Sequence, residues 1–388
     1  MRSLRAAAAP GAEQGVTTLE LFFDLVFVYT ITQVTAVVRD DRVPAALAIL
    51  LVTWWMYDGY CWLANNVGPT TLETRLPMLV AMAGFLVMAI ATPDAYHSGA
   101  WPFAIAYVAV VLVHGVQFAR SSVGSSARAI LQVLPLNLGM GLGLVLAAIL
   151  APHDDAWIGW LVAVVLLLVA VVRVRGRGFT LRAEHFAERH QLLIIIALGE
   201  TVVATGAGAQ GRLGTGAVLL AVLLSLALLA TLWWVYFGRD DELGSQALSG
   251  ASAGAMPGLA FWGYSMAHLV HVTGLVLVAA GLHDVILAPT LHLHSRPAAA
   301  LAAGAATFLL AQAWFRRVLA VGTGTGLVIG AAGCVVLAAT GSHLEAVVEL
   351  ELLGTVVLAV LVAQPRAGAA GAPARPAAGV SGRAEGGH

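Results

Sequence analysis

Two stretches of the sequence bring acidic and basic side chains together at spacings that could do chemistry. The first, Glu20-Leu21-Phe22-Phe23-Asp24, sets two carboxylates four residues apart, and so on one face of a helix. The second runs His185-Phe186-Ala187-Glu188-Arg189-His190 and, after an apolar run, reaches Gly199-Glu200. Asp58 stands in a third apolar stretch, shortly after Trp54-Trp55. Carboxylates placed among apolar residues can exchange a proton or act as general acid or base. Arg189 can equally serve Glu20, Asp24 or Glu188 as counter-ion, which would make the group a structural ion-pair cluster. The sequence alone leaves both readings open.

Metal chemistry is the next class to weigh. His185 with Glu188, and His268 with His271, stand three apart, a spacing that puts two ligands on one side of a helix. Neither pair is completed by an HExxH, CxxC or Cys/His cluster, so no metal site is expected. Cys61 and Cys334 lie in apolar runs far apart and read as packing residues. The chain has no lysine, so no glycine run carries the Lys-Ser/Thr of a nucleotide site, and no cofactor is predicted.

The elements that must position these side chains are membrane helices. Of 388 residues, 60% are hydrophobic and only 11% charged, against about a quarter charged in soluble domains. The 20 basic and 21 acidic residues nearly cancel, and no basic block exists for nucleic acid. The expected partners are membrane lipids and an unknown small-molecule or lipid substrate. A bilayer core takes roughly 20 apolar residues per helix. On that measure spans fall at about Leu19 to Val38, Val43 to Leu63, Leu76 to Ala91, Trp101 to Phe118, Ala129 to Leu150 and Trp157 to Val172. Six more follow at Leu192 to Ala207, Thr215 to Phe237, Pro257 to Leu282, Pro297 to Trp314, Leu319 to Thr340 and Leu344 to Val362. The predicted fold class is all-α, a polytopic integral membrane protein of about 12 transmembrane helices.

Arginine placement orients the spans. With the N-terminus inside, 16 arginines fall in inner segments, and only Arg39, Arg42, Arg212 and Arg296 fall in outer loops, as the positive-inside rule requires. This predicts a cytoplasmic N-terminal segment (1–18), a first six-helix half (19–172), a basic cytoplasmic linker (173–191), a second half (192–362) and a disordered cytoplasmic tail (363–388). Asp24 then sits about one turn into the membrane, with Glu20 and Asp58 at similar depth. Glu200, twelve residues past Glu188, lies about 18 Å further along its helix and near mid-membrane.

The halves carry a shared signature. Trp54-Trp55-Met56-Tyr57-Asp58-Gly59 in the second span matches Trp233-Trp234-Val235-Tyr236-Phe237-Gly238 in the eighth. With six helices each, two such halves would form a parallel repeat about an axis along the membrane normal. Shared membrane-helix composition is the alternative source of the match.

ELFFDLVFV in the first span and HxxERxxLxxIIxLGExV in the seventh resemble the two most characteristic stretches of the low temperature requirement A family. Trp54-Trp55, Arg75, the MAIATPDAY stretch, His268-Leu269 and Gly274 extend the likeness over most of Val16 to Val362. Family members commonly have a tyrosine two before that histidine, where this chain has Met266. The resemblance implies a polytopic protein of the bacterial inner membrane with no settled activity. It carries over Glu20, Asp24, His185, Glu188, Arg189, Gly199 and Glu200, and, less fully, His268.

Two functions fit these expectations. A transporter or permease would use membrane-embedded carboxylates where a proton or substrate is exchanged. An intramembrane enzyme acting on a lipid or isoprenoid-like substrate would use Asp24, Asp58 or Glu200 in acid/base catalysis. A scaffold in which the acids only pair with Arg189 is the third possibility. The span count has its own test: reporter fusions at Ala207 to Gly214 and at Gly238 to Ala255 should report opposite sides of the membrane. The same side for both would remove the topology.

Overall fold

A chain surrounded by lipid has to satisfy its backbone N–H and C=O groups within itself, and a helix does so segment by segment. The computed structural model describes residues 15–120, 124–174, 178–179 and 181–363, with side chains omitted for 124–128, and contains no named strand among them. The helices are α1 (Thr18–Arg39), α2 (Val43–Asn66), α3 (Leu72–Ala91), α4 (Ala100–Ala119), α5 (Gly124–Leu150), α6 (Ala156–Val174), α7 (Ala183–Ala209), α8 (Gly216–Phe237) and α9 (Asp240–Ser249). After them come α10 (Met256–Leu259), a π-helical stretch (Ala260–Met266), α11 (Ala267–Leu287), α12 (Ser295–Val318), α13 (Thr325–Thr340) and α14 (Ala346–Ala363). Twelve segments among the described residues are long and apolar enough to cross a membrane, α8 being continued by α9, and α10 joined to α11 through the π-helical stretch. The all-α, twelve-span expectation is met. Residues 1–14 of the expected N-terminal segment, 175–177 and 180 of the linker, and the tail from 364 lie outside the described residues.

Local chemistry explains where α1 starts. At α1 the Thr17 hydroxyl accepts from Glu20 N, while Glu20 Oε2 accepts from Thr17 N at 2.8 Å, a reciprocal cap. In the seventh span the helix begins at Ala183, well before the apolar run that opens at Leu192. His185, Arg189 and His190 therefore lie on the helix itself and are buried there. These polar side chains are accommodated there because each finds a partner on another helix.

Lipid-facing and packed surfaces separate clearly. Ile90, Leu131, Val203 and Ile329 stand on the outside, an arrangement that suits hydrocarbon and not water. Inside, helices approach closely where side chains vanish. A Cβ added at Gly304 in α12 would stand 2.6 Å from Val278 N of α11, and one at Gly159 in α6 would stand 2.2 Å from Ala147 N of α5. These are backbone-to-backbone contacts of the small-residue type. Gly143 likewise meets the backbone of α6 and Gly330 meets Val360, but Gly326 faces open space.

Neighbour relations partly recur between the two sets of six. α1 packs on α3, α2 on α6, and α3, α4, α5 and α6 in succession; α7 packs on α11, α8 on α14, and α11, α12, α13 and α14 in succession. The tryptophan pairs do not share an environment. Trp54 and Trp55 are 0% and 8% exposed, whereas Trp233 and Trp234 are 43% and 58% exposed. Only the tyrosines of the matched motif, Tyr57 and Tyr236, are both fully buried.

The glycine contacts give a stability test. Gly304→Val should destabilise the protein by at least the about 1–3 kcal/mol typical of an overpacked core, whereas Gly326→Ala should leave it unchanged. Thermal unfolding of the detergent-purified variants checks both.

Candidate functional site

Three buried polar groups adjoin one another inside the bundle, and α7 is common to the first two. In the first group, α7 turns Arg189 toward α1. Its Nη2 donates to Asp24 Oδ1 at 2.9 Å and its Nε to the same oxygen at 3.3 Å. The Tyr57 hydroxyl of α2 donates to that oxygen as well, at 2.9 Å. Arg189 Nη1 lies 3.8 Å from Glu20 Oε1. The guanidinium carbon also stands 5.4 Å from the Phe23 ring centroid and 5.9 Å from that of Tyr57, placing the cation against aromatic faces. Glu20, Asp24 and Arg189 are all fully buried.

His185 completes this group from one turn earlier on α7. Its Nε2 is 3.1 Å from Glu20 Oε1, although the angle directs its hydrogen bond to Oε2 at 3.4 Å. Its Nδ1 faces Asn65 Nδ2 at 3.4 Å. The orientation of Asn65 is fixed independently, because its Oδ1 accepts from Arg182 N at 2.7 Å and its Nδ2 donates to Arg182 O at 2.9 Å. The amide N–H therefore faces His185, whose Nδ1 must hold a lone pair.

The second group begins at the very next residue. His190 Nε2 is 3.2 Å from Asp58 Oδ1 on α2, and its Nδ1 is 2.9 Å from Phe186 O. Ser265, in the π-helical stretch, donates to Asp58 Oδ1 at 2.8 Å. The same serine is gripped twice from α2, its Oγ by Trp62 Nε1 at 3.2 Å and its carbonyl by Trp54 Nε1 at 3.1 Å. A π-helical turn displaces the backbone from α-helical register, and here it lets one residue offer both oxygens to a neighbouring helix.

The third group is reached through edge-to-face and tilted ring contacts. The His190 and His268 centroids are 5.1 Å apart, and those of His268 and His271 are 5.4 Å apart. The hydroxyl of Tyr236 on α8 lies 2.7 Å from His268 Nε2. His271 Nε2 pairs with Gln312 Oε1 at 2.9 Å, Gln312 Nε2 donates to Asp240 Oδ2 at 2.6 Å, and Arg316 ion-pairs with the same Asp240 oxygen. This group joins α8, α9, α11 and α12.

Measured against the sequence, Glu20, Asp24, His185 and Arg189 come together in one cluster, Asp58 belongs to the adjoining group, and His268 to the third. Glu188 is exposed and accepts from Val16 N at 3.2 Å, so it is not the partner of Arg189. Glu200 is half-buried and accepts from the Thr32 hydroxyl of α1 at 2.7 Å, about two turns along α1 from Asp24. The spacing His185/Glu188 does not bring two ligands together, because one side chain points inward and the other outward. Tyr57, Asn65, His190, Ser265, Tyr236, Gln312 and Asp240 had no place in the sequence reading. His190 was marked only by adjacency to Arg189, and Tyr57 and Tyr236 only by the tryptophan motif; for the others the sequence carries no signal, since each acts through a helix remote in the chain.

Comparison with known proteins adds a family. The model of the family described as Bacterial low temperature requirement A protein matches residues 15–363. An uncharacterized protein of Rhizobium meliloti (strain 1021) is 27% identical over 325 residues, covering 77% of this chain and 76% of the relative.

Removing Arg189 should expose the value of the cluster. Arg189→Met leaves two buried carboxylates without their cation and should cost about 3–5 kcal/mol, while Glu188→Gln should stay within about 0.5 kcal/mol. Adding Asp24→Asn to Arg189→Met should recover part of the loss. The unfolding midpoints of the three proteins in detergent test this, and equal stability of Arg189→Met and wild type would remove the coupling.

Proposed function

We propose that this chain, which belongs to the bacterial low temperature requirement A family, is a transporter that gains and loses one positive charge at the Glu20–Asp24–His185–Arg189 cluster in each working cycle. The charge count carries this reading. With a lone pair on Nδ1, His185 is neutral and donates Nε2–H to Glu20. Two carboxylates then face one guanidinium, leaving the cluster one positive charge short. A surplus charge within a membrane helix costs about 2.5–3.5 kcal/mol on insertion scales. Glu20 Oε1 and Asp24 Oδ2 are both buried without a hydrogen-bond partner; Glu20 Oε1 lies 3.1 Å from His185 Nε2, so Asp24 Oδ2 is where a proton would restore neutrality.

Such a proton would act on the helices that the cluster joins. Neutral Asp24 attracts Arg189 less than charged Asp24 does, so protonation weakens the tie between α1 and α7. These are the first helices of the two sets of six, and transporters with parallel repeats work by moving one half against the other. The recurring neighbour relations support a two-half arrangement, and the arginine split supports placing both termini on the cytoplasmic side of the bacterial inner membrane. The cargo on this reading is a small molecule or a lipid.

Metabolite and lipid profiling of a deletion strain, inside and outside the cell, tests the function. Wild type should restore the normal partitioning of at least one compound. Asp24→Asn, expressed at equal level, should fail to do so, whereas Glu345→Gln on the exposed outer side should succeed. A precursor that accumulates while its product is missing, with no change in partitioning, would be the mark of catalysis and would overturn the transporter reading.

A further inference from the structure

The second polar group holds an arrangement that the transport reading does not use. Asp58 and Cys61 stand three apart on α2, and His190 faces them from α7. One ligand-type atom from each, a carboxylate oxygen, the thiol sulfur and an imidazole nitrogen, all lie within 4.8 Å of one another, and all three residues are buried. We propose that Asp58, Cys61 and His190 form a binding site for one divalent metal ion of the zinc type.

The histidine provides the first argument. Phe186 O can only accept, so His190 Nδ1, 2.9 Å away, must carry the hydrogen. In the neutral ring the lone pair is then on Nε2, and it points at Asp58 Oδ1, itself an acceptor, across 3.2 Å. Two acceptors at that distance are reconciled either by a proton on Nε2 or by a metal ion beside them, and the nearby Cys61 sulfur supplies the third ligand that a metal ion would use. A histidine whose far nitrogen donates to a backbone carbonyl is also the usual form of a metal-bound imidazole.

Donor set and charge narrow the choice of ion. Sulfur, nitrogen and carboxylate oxygen together suit zinc and its neighbours, not calcium or magnesium, which prefer all-oxygen shells. A divalent ion with the Cys61 thiolate, the Asp58 carboxylate and a neutral His190 gives a net charge of zero, the value a site inside a membrane bundle favours. Binding releases the thiol proton of Cys61, and any proton held between Asp58 and His190. Bond lengths of about 2.0–2.3 Å place tetrahedral ligands about 3.3–3.8 Å apart; the oxygen and nitrogen, 3.2 Å apart, stand close to that separation, and the sulfur lies within 4.8 Å of both.

Support and access are both present. Ser265 holds Asp58 Oδ1 and is itself held by Trp62 and Trp54, the second layer that orients a ligating carboxylate. Asp58 also lines a cavity of about 50 Å³, together with Gly59, Trp62, His114 and Asn137. Of the three ligands Asp58 alone borders that cavity, so an ion would enter past its carboxylate. A bound ion would tie α2 to α7.

The test uses the full-length protein in detergent, stripped with a chelator and titrated with Co2+ or Zn2+. Wild type should bind one equivalent, and Co2+ should produce the near-ultraviolet thiolate-to-cobalt absorption band. Cys61→Ser should abolish the band, and Asp58→Asn and His190→Gln should each weaken Zn2+ binding at least about tenfold. Cys334→Ser, which alters the buried cysteine of α13, should change nothing. The wild-type spectrum decides even where a variant fails to fold: a monodisperse protein that retains no metal and shows no band means that the Asp58–His190 pair holds only a proton, which overturns the proposal. A band that survives Cys61→Ser also overturns it.

Discussion

The arrangement of the bundle turns on one requirement: a guanidinium that cannot lose its proton is buried between helices. Arg189 is fully enclosed, and arginine stays protonated in proteins. Its charge has to be answered by carboxylates that come from another helix, since Glu188 beside it faces outward. That answer is Asp24 and Glu20 on α1, and it fixes the rotation of both helices at once. A buried ion pair is weak evidence of net stability, because desolvation offsets most of the attraction. Its effect here is on specificity, since a rotation of α7 that moved Arg189 to lipid would strand both carboxylates.

Adjacent residues on a helix point about 100° apart, and the site exploits this. Arg189 faces α1 while His190 faces α2 and the π-helical stretch, so one turn of α7 serves two polar groups. Tyr57 and Asp58 repeat the device on α2, the tyrosine donating to Asp24 and the aspartate meeting His190. The two groups are therefore coupled by covalent neighbours without sharing a hydrogen bond.

Close packing elsewhere keeps these rotations defined. Where α5 meets α6 and α11 meets α12, glycine backbones touch, and the helices have little freedom to slide. α11 carries His268 and His271, so its tight seating on α12 holds the rings that extend the polar layer from His190 toward Gln312 and Asp240. The outer surface, by contrast, is apolar side chains without partners, which a bilayer accepts at no cost.

The sequence by itself determined the fold class, the number of spans and the two motifs that supply Glu20, Asp24, His185 and Arg189. These follow from composition and from periodicity along the chain, both local properties. It could not determine which acid answers Arg189, because Glu20, Asp24 and Glu188 all stand within reach on the pattern alone; the inward rotation of α7 decided it. Nor could it show that Trp54 and Trp233 differ, one sealed in the core and the other exposed, since matched motifs carry no record of which helix lies opposite. Cys61 read as packing for the same reason. Its neighbours Asp58 and His190 are 132 residues apart, and only the seating of α2 against α7 brings a thiol, a carboxylate and an imidazole to one point.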